Sequence, residues 1–382
     1  PMAMVINSDE LIVAPANVAE AELVGRHKVR TASRLGELVA ALTAECPWPV
    51  TPDPPAPAVG PAPADLADVR GQIFPRRALE ISAAGGHHLL MVGPPGGGKT
   101  MLAERLPGLL GPLEDTAALR ATVAHSAAGQ PCPGGLVRTA PFRAPHHSSS
   151  LVSIIGGGSH SLRPGEITLA SDGVLFLDEL GEFPAAVLDA LRQPLEQGRV
   201  RIARAHASAD LPAAFLLVAA TNPCPCGFAP APTCRCTEAN LARYGRRMSG
   251  PILDRLDLRV VVSPPTRAEL FDLPPGESTA VVAARVIGAR QRAHARGVVS
   301  NARLPTRRLD DLARFDPTGL RLVERAVDRG RLSGRGVNRI RAVSLTIDDL
   351  RGGDGRLDAE VVAEALALRV DLDFLHHVRG AA

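Results

Sequence analysis

Aromatic residues are scarce in this sequence: one Trp, one Tyr and nine Phe among 382 residues. A protein that bound nucleic acid by stacking bases on aromatic rings would need more of them, so that route is not expected. A surplus of either charge is also missing. The 43 Lys and Arg stand against 40 Asp and Glu, a net +3, so any basic surface has to be local. No apolar run approaches the roughly 18 residues of a membrane helix. The opening "PMAMVINSDE" lacks the basic-then-apolar order of a signal peptide. A cytoplasmic protein with no membrane partner is the expectation. Cysteines stay reduced there, so clustered cysteines suggest a metal before a disulfide.

What is present is an ordinary globular composition, 45% apolar and 22% charged, in a chain long enough for two or three domains. Residues 1–46 end in a short amphipathic helix with Ser33 as N-cap and Leu35, Leu38, Val39 and Leu42 on one face. Residues 47–64 are rich in Pro and Ala and read as an extended linker. From 65 to 270, buried-looking runs alternate with helical stretches. "HHLLMV" (87–92), "GVLFLD" (173–178), "AFLLVAAT" (214–221) and "LDLRVVV" (256–262) read as parallel strands of an α/β fold. Two polar, glycine-containing excursions, 148–172 and 199–212, read as β-hairpins. Residues 271–382 read as a smaller helical domain.

The first chemical motif is Gly93-Pro94-Pro95-Gly96-Gly97-Gly98-Lys99-Thr100. It follows a strand and opens a helix, the setting in which glycine N–H groups close around phosphates. Lys99 then reaches the β- and γ-phosphates and Thr100 ligates Mg²⁺. A glycine-rich turn with a surface lysine is the plain alternative. "GVLFLDEL" ends a strand in Asp178 and Glu179, facing the ligand crevice of an α/β sheet. Asp178 can hold Mg²⁺ and Glu179 can deprotonate a water; an acidic helix N-terminus is the alternative. ATP and Mg²⁺ are the implied substrate and cofactor.

Longer words make a specific resemblance. "DVRGQIFPRRALEISAAGGHHLLMVGPPGGGKTMLAERLPGLL", "PFRAPHHSSS", "RPGEITLASDGVLFLDEL" and "NPCPCG" resemble the ComM (YifB) subfamily of the magnesium-chelatase subunit family of AAA+ ATPases. The resemblance implies a phosphate-loop core with a parallel sheet and two hairpin insertions, followed by a helical lid. It implies that residues 1–46 are the tail of a Lon-protease-like domain. Asn222 matches the sensor-1 position, Arg255 an arginine finger acting on a neighbouring subunit's ATP, and Arg335 the sensor-2 position in the lid. In this family the lid usually carries more basic residues than here, where Ala342 and Leu345 stand. A ring, a hexamer, that works on DNA by helicase-like branch migration is what the family implies. A chaperone-like ATPase that remodels a protein partner is the rival. On the second hairpin, Arg201, Arg204 and His206 are candidate DNA contacts, through phosphates rather than bases.

"NPCPCGFAPAPTCRC" directly follows the strand at 214–221 and holds Cys224, Cys226, Cys234 and Cys236. Four thiolates can close a tetrahedral, structural zinc site. Unliganded thiols, a disulfide or another metal remain open. The paired histidines His87–His88 and His146–His147 read as structural, because adjacent side chains on a strand point to opposite faces.

Overall fold

The computed structural model describes residues 8–50, 64–130, 135–158, 162–204, 207–229, 233–247 and 250–370. Near the N-terminus, β1 (Glu10–Val13) pairs in parallel with β2 (Lys28–Thr31), and the helix Leu35–Leu42 follows. That helix begins one residue later than expected. Arg34 is its N-cap, and the Ser33 backbone N–H donates instead to the Glu37 carboxylate at 2.9 Å. The helix thus has no side-chain cap, and the Glu37 carboxylate instead ties down the chain just ahead of it and suits the helix dipole. Leu35, Val39 and Leu42 of the expected apolar face are exposed.

The core is a five-stranded sheet. The sheet and its insertions begin with β3 (Leu89–Val92), β4 (Phe142–Arg143), β5 (Gly156–Gly157) and β6 (Arg163–Pro164). They are followed by β7 (Val174–Leu177), β8 (Arg199–Arg204), β9 (Ala207–Pro212), β10 (Leu216–Thr221) and β11 (Leu258–Val261). The sheet order is β11-β3-β10-β7-β4, and every pairing in it is parallel. β3, β7 and β10 are buried along their whole length, as strands covered by helices on both faces must be. Their carboxyl ends lie side by side, so whatever follows β3, β10, β7 and β4 is gathered at one edge of the sheet.

The two insertions differ. Residues 199–212 form the expected hairpin, with β8 antiparallel to β9. The first excursion is a hairpin only at β5 and β6. Its flanks are helical, Leu151–Ile155 and Glu166–Leu169. The Ser150 hydroxyl accepts from the Ser153 N–H at 3.2 Å and starts the first of these, so a short apolar run, "LVSII", folds as a helix.

The helical region after β11 packs directly on the sheet layer. One apolar cluster contains Leu79, Leu89 and Met91 together with Val282, Val286, Ile340 and Val343. Ion pairs cross the same boundary: Arg285 to Glu80 at 2.6 Å, Arg77 to Glu364 at 2.6 Å, and Arg339 to the buried Asp257. Among the described residues, no helix is long and apolar enough to cross a membrane.

Candidate functional site

The phosphate loop runs from the end of β3 into the helix Lys99–Ala103. Its glycines are required by space and by backbone shape. A Cβ at Gly93 would collide with the Val262 carbonyl of the neighbouring strand end. Gly98 has φ +86, a left-handed conformation that side chains disfavour, and it caps the helix. Lys99 is buried and turned back on the loop. Its Nζ donates to the carbonyls of Gly93 at 2.7 Å and Pro94 at 2.9 Å, and to Asn222 Oδ1 at 3.2 Å. Burial lowers the Lys99 pKa, and the nearby Asp178 and Glu179 oppose that shift.

Thr100 and Asp178 meet across the gap between β3 and β7: the threonine hydroxyl donates to Asp178 Oδ2 at 3.0 Å. A hydroxyl and a carboxylate oxygen this close are hard donors that one Mg²⁺ could share, so the pair fits such an ion. Asp178 Oδ1 accepts from the Glu179 N–H at 2.9 Å. Glu179 itself has φ +53 and sits half exposed, so its carboxylate reaches the open edge of the sheet. That carboxylate lies 2.9 Å from His147 Nδ1.

Asn222 follows β10, the strand between β3 and β7. The chain's single tyrosine holds it in place. Tyr244 is buried, and its hydroxyl donates to the Asn222 carbonyl at 3.0 Å and lies 2.9 Å from Thr221 Oγ1. Tyr244 belongs to the helix Glu238–Arg247, so it anchors the far side of the cysteine segment.

In that segment the sulfurs of Cys224, Cys226, Cys234 and Cys236 all lie within 4.8 Å of one another. Individual separations are 3.3 Å (Cys224–Cys226), 3.6 Å (Cys226–Cys234) and 3.8 Å (Cys224–Cys234). A tetrahedron with Zn–S bonds of about 2.3 Å has S–S edges of about 3.8 Å, so the cluster has the size of a zinc cage. Backbone N–H groups point at the sulfurs, as thiolates require; Ala229 donates to Cys224 Sγ at 3.3 Å. Hydrogen bonds from the backbone of Arg235 and Phe228 lower the Cys226 thiol to about 6, while burial and the neighbouring sulfurs push Cys236 up to about 12. Gly227, at φ +86, lies against Pro95, so the cysteine segment touches the phosphate loop.

Two expected arginines lie apart from this gathering. Arg255, after the helix Gly250–Leu253, is ion-paired with Glu196 of its own chain, three residues before β8. Arg335 is exposed in the first turn of the helix Gly334–Arg351. One turn further, Arg339 carries the buried pairing to Asp257 instead. On the second hairpin, Val200 and Ile202 are buried while Arg199 and Arg201 are exposed. Arg201 stands opposite Asp210, which also lies 3.8 Å from Arg199, so that face is not purely basic. His206 and the side chain of Arg204 lie outside the described residues.

The paired histidines separate into two cases. His87 faces the helical region, with Nε2 2.8 Å from Thr346 Oγ1 and Nδ1 3.5 Å from Asp257. His88 faces the sheet and accepts from the Leu217 N–H at 3.0 Å. The two point apart, although both precede β3, which begins at Leu89, so strand alternation is not what directs them. His146 and His147 do not follow it either. They lie in the loop after β4, with ring centroids 4.0 Å apart, and His147 reaches Glu179. The error was one of local structure: alternation holds on a strand, and this pair is past the strand's end.

A cavity of ≈ 390 Å³ opens beside Arg76, Glu80, Glu277 and Arg285. Arg285 pairs there with both Glu80 and Glu277, Arg77 pairs with Glu80, and Arg76 donates to the backbone carbonyls of Leu66, Val69 and Glu277.

Residues 65–270 match the family described as magnesium chelatase, subunit ChlI, and residues 276–369 match its C-terminal region. An uncharacterised protein of Mycobacterium tuberculosis is 43% identical over 375 residues, which is 94% of this chain and 72% of that protein. Salmonella typhimurium YifB is 40% identical over 372 residues, 97% of this chain and 72% of its own. The competence protein ComM of Haemophilus influenzae is 40% identical over 365 residues, 94% of this chain and 71% of its own.

Proposed function

The chain belongs to the magnesium-chelatase ChlI family of AAA+ proteins, and from that premise we propose that it is a Mg²⁺-dependent ATPase whose subunits form a ring, a hexamer, that works on DNA. The observation that supports this most is the set of direct hydrogen bonds joining Lys99, Thr100, Asp178 and Asn222 across the ends of three neighbouring strands.

In this reading, Gly93 to Gly98 and Lys99 bind the phosphates of ATP. Lys99 exchanges its carbonyl partners for phosphate oxygens, so binding does not strand a buried charge. Thr100 and Asp178 hold Mg²⁺, which neutralises charge on the phosphates. Glu179 takes the proton of the attacking water, and Asn222 orients that water. Phosphoryl transfer depends chiefly on positioning and charge stabilisation. Arg255 supplies that charge to a neighbouring subunit after leaving Glu196, and Arg335 senses nucleotide from the helical region. Four thiolates, Cys224, Cys226, Cys234 and Cys236, hold a structural Zn²⁺ that fixes the segment between Asn222 and Tyr244.

The DNA part of the proposal draws on the name of a relative, a competence protein, and on the exposed Arg199 and Arg201. It places the activity in helicase-like branch migration while incoming DNA is integrated. ATP turnover measured with and without single-stranded and branched DNA tests it. Stimulation by DNA supports the motor. A rate that ignores DNA but rises with a protein partner would leave the ATPase and replace the DNA reading with the remodelling one.

A further inference from the structure

Arg255 sits in a short segment, 253–257, whose polar groups are held by other arginines. Arg259, in β11, donates to the Leu253 carbonyl at 2.9 Å. Arg369 donates to the carbonyls of Leu256 and Asp257, both at 2.9 Å. Arg339 binds the carboxylate of Asp257, which is buried and also lies 3.5 Å from His87 Nδ1. Two of these arginines come from the helical region. Arg339 belongs to the helix Gly334–Arg351, and Arg369 follows the helix Ala359–Ala367. The backbone joins the two regions at the same place. The Arg259 N–H donates to the Leu368 carbonyl at 2.8 Å, and the Arg259 carbonyl accepts from the Val370 N–H at 3.0 Å.

Hydrogen bonds from a charged guanidinium are roughly twice as strong as neutral ones. Those from Arg339 and Arg369 fall on Leu256 and Asp257, the two residues that follow Arg255. On the sheet side, the N–H groups of Asp257 and Leu258 donate to the His88 carbonyl at 2.9 and 3.0 Å. The backbone beside Arg255 is thus shared between the sheet and the helical region. Removing Arg339 or Arg369 leaves a buried acceptor without its partner, and the backbone next to Arg255 shifts to find another.

We propose that Arg339 and Arg369 are positioning residues for Arg255: they tie the arginine that one subunit offers its neighbour to the helical region of the subunit that offers it. This rests on the ATPase reading above, with Arg255 acting in trans.

The test mixes two chains that should each turn over poorly alone, Lys99→Ala and Arg255→Ala. Turnover in the mixture then comes from interfaces where the Lys99→Ala chain offers Arg255 to the site of the Arg255→Ala chain. Arg339→Met is added to one chain or to the other. In the Lys99→Ala chain it should lower kcat of the mixture roughly tenfold, within the ~10²-fold that a misplacement of about 1 Å can cost, with KM for ATP unchanged. In the Arg255→Ala chain it should leave the mixture near its starting rate. Loss of folding or of ring assembly would weaken both arrangements alike. Should Arg339→Met not fold, Arg369→Met in the same two arrangements decides. Equal loss in the two arrangements, loss only in the Arg255→Ala chain, or no loss in either overturns the proposal. If Arg255→Ala alone turns over at the full rate, the trans reading is what fails, and that outcome is distinct.

Discussion

Two loops leave neighbouring strands at the same edge of the sheet and meet the same problem, polar atoms gathered in a confined space. They solve it differently. In the phosphate loop, Lys99 finds every partner inside the chain, in Gly93, Pro94 and Asn222. In the cysteine loop the four sulfurs chiefly face one another, aided by backbone N–H groups. A loop that satisfies itself can fold empty and wait for substrate. One that crowds thiols together suits a cation, and in the zinc reading its folding energy would be largely the binding energy of that ion. The contact of Gly227 with Pro95 makes the second loop a support for the first.

The largest effect is expected at Arg255, the residue proposed to act on a neighbouring subunit's ATP. Arg255→Ala should leave ATP binding intact and lower turnover by about 10³-fold, the scale of an arginine finger. Mixing it with Lys99→Ala protein should restore some turnover through mixed interfaces. Full activity in a dilute, demonstrably monomeric sample would remove the trans role. Next in size, Glu179→Gln should bind ATP normally and lose about 10²-fold or more in kcat, as read by single-turnover hydrolysis.

A smaller effect sharpens the contrast from the other loop. Cys234→Ser should release most of the zinc and lower turnover about tenfold, because Asn222 loses one end of its support while Lys99 and its partners survive. Elemental analysis and nucleotide titration on one sample check both halves. Smallest is an acid effect away from both loops. Burial holds His88 down to about 4 from its ordinary 6.5, against the pull of Asp257. The unfolded chain therefore binds the extra proton first, and stability falls as pH drops from about 6.5 towards 4. Part of the residue still meets solvent, so the loss is held to about 1–3 kcal/mol. His88→Asn, which cannot titrate, should flatten that stretch of a urea-denaturation pH series.

Much of the phosphate site was legible because letters and context agreed. Gly93 to Thr100 stood between a buried run and a helix, and "GVLFLDEL" ended in acids where a strand should end. The cysteine cluster was legible by count and spacing. The edge strand β4 was not, since a two-residue ladder, Phe142–Arg143, has no periodicity to read. Missing it hid the loop that carries His147 and made a strand rule look applicable to the pair. Tyr244 was missed for another reason. Its role comes from a hydrogen bond to a residue 22 positions away, which only the closed cysteine segment brings near. The partners of Arg255 and Arg339 likewise depend on packing between elements distant in sequence.

The central claim, that one loop binds ATP unaided while the other needs a metal to let it react, is tested on a single preparation. ATP affinity and turnover are measured before and after removing zinc with a chelator of little affinity for Mg²⁺, then again after adding zinc back. Unchanged affinity, with turnover lost on removal and regained on return, is the predicted result. Turnover that persists in zinc-free protein, or metal-replete protein that carries no zinc at all, would contradict it.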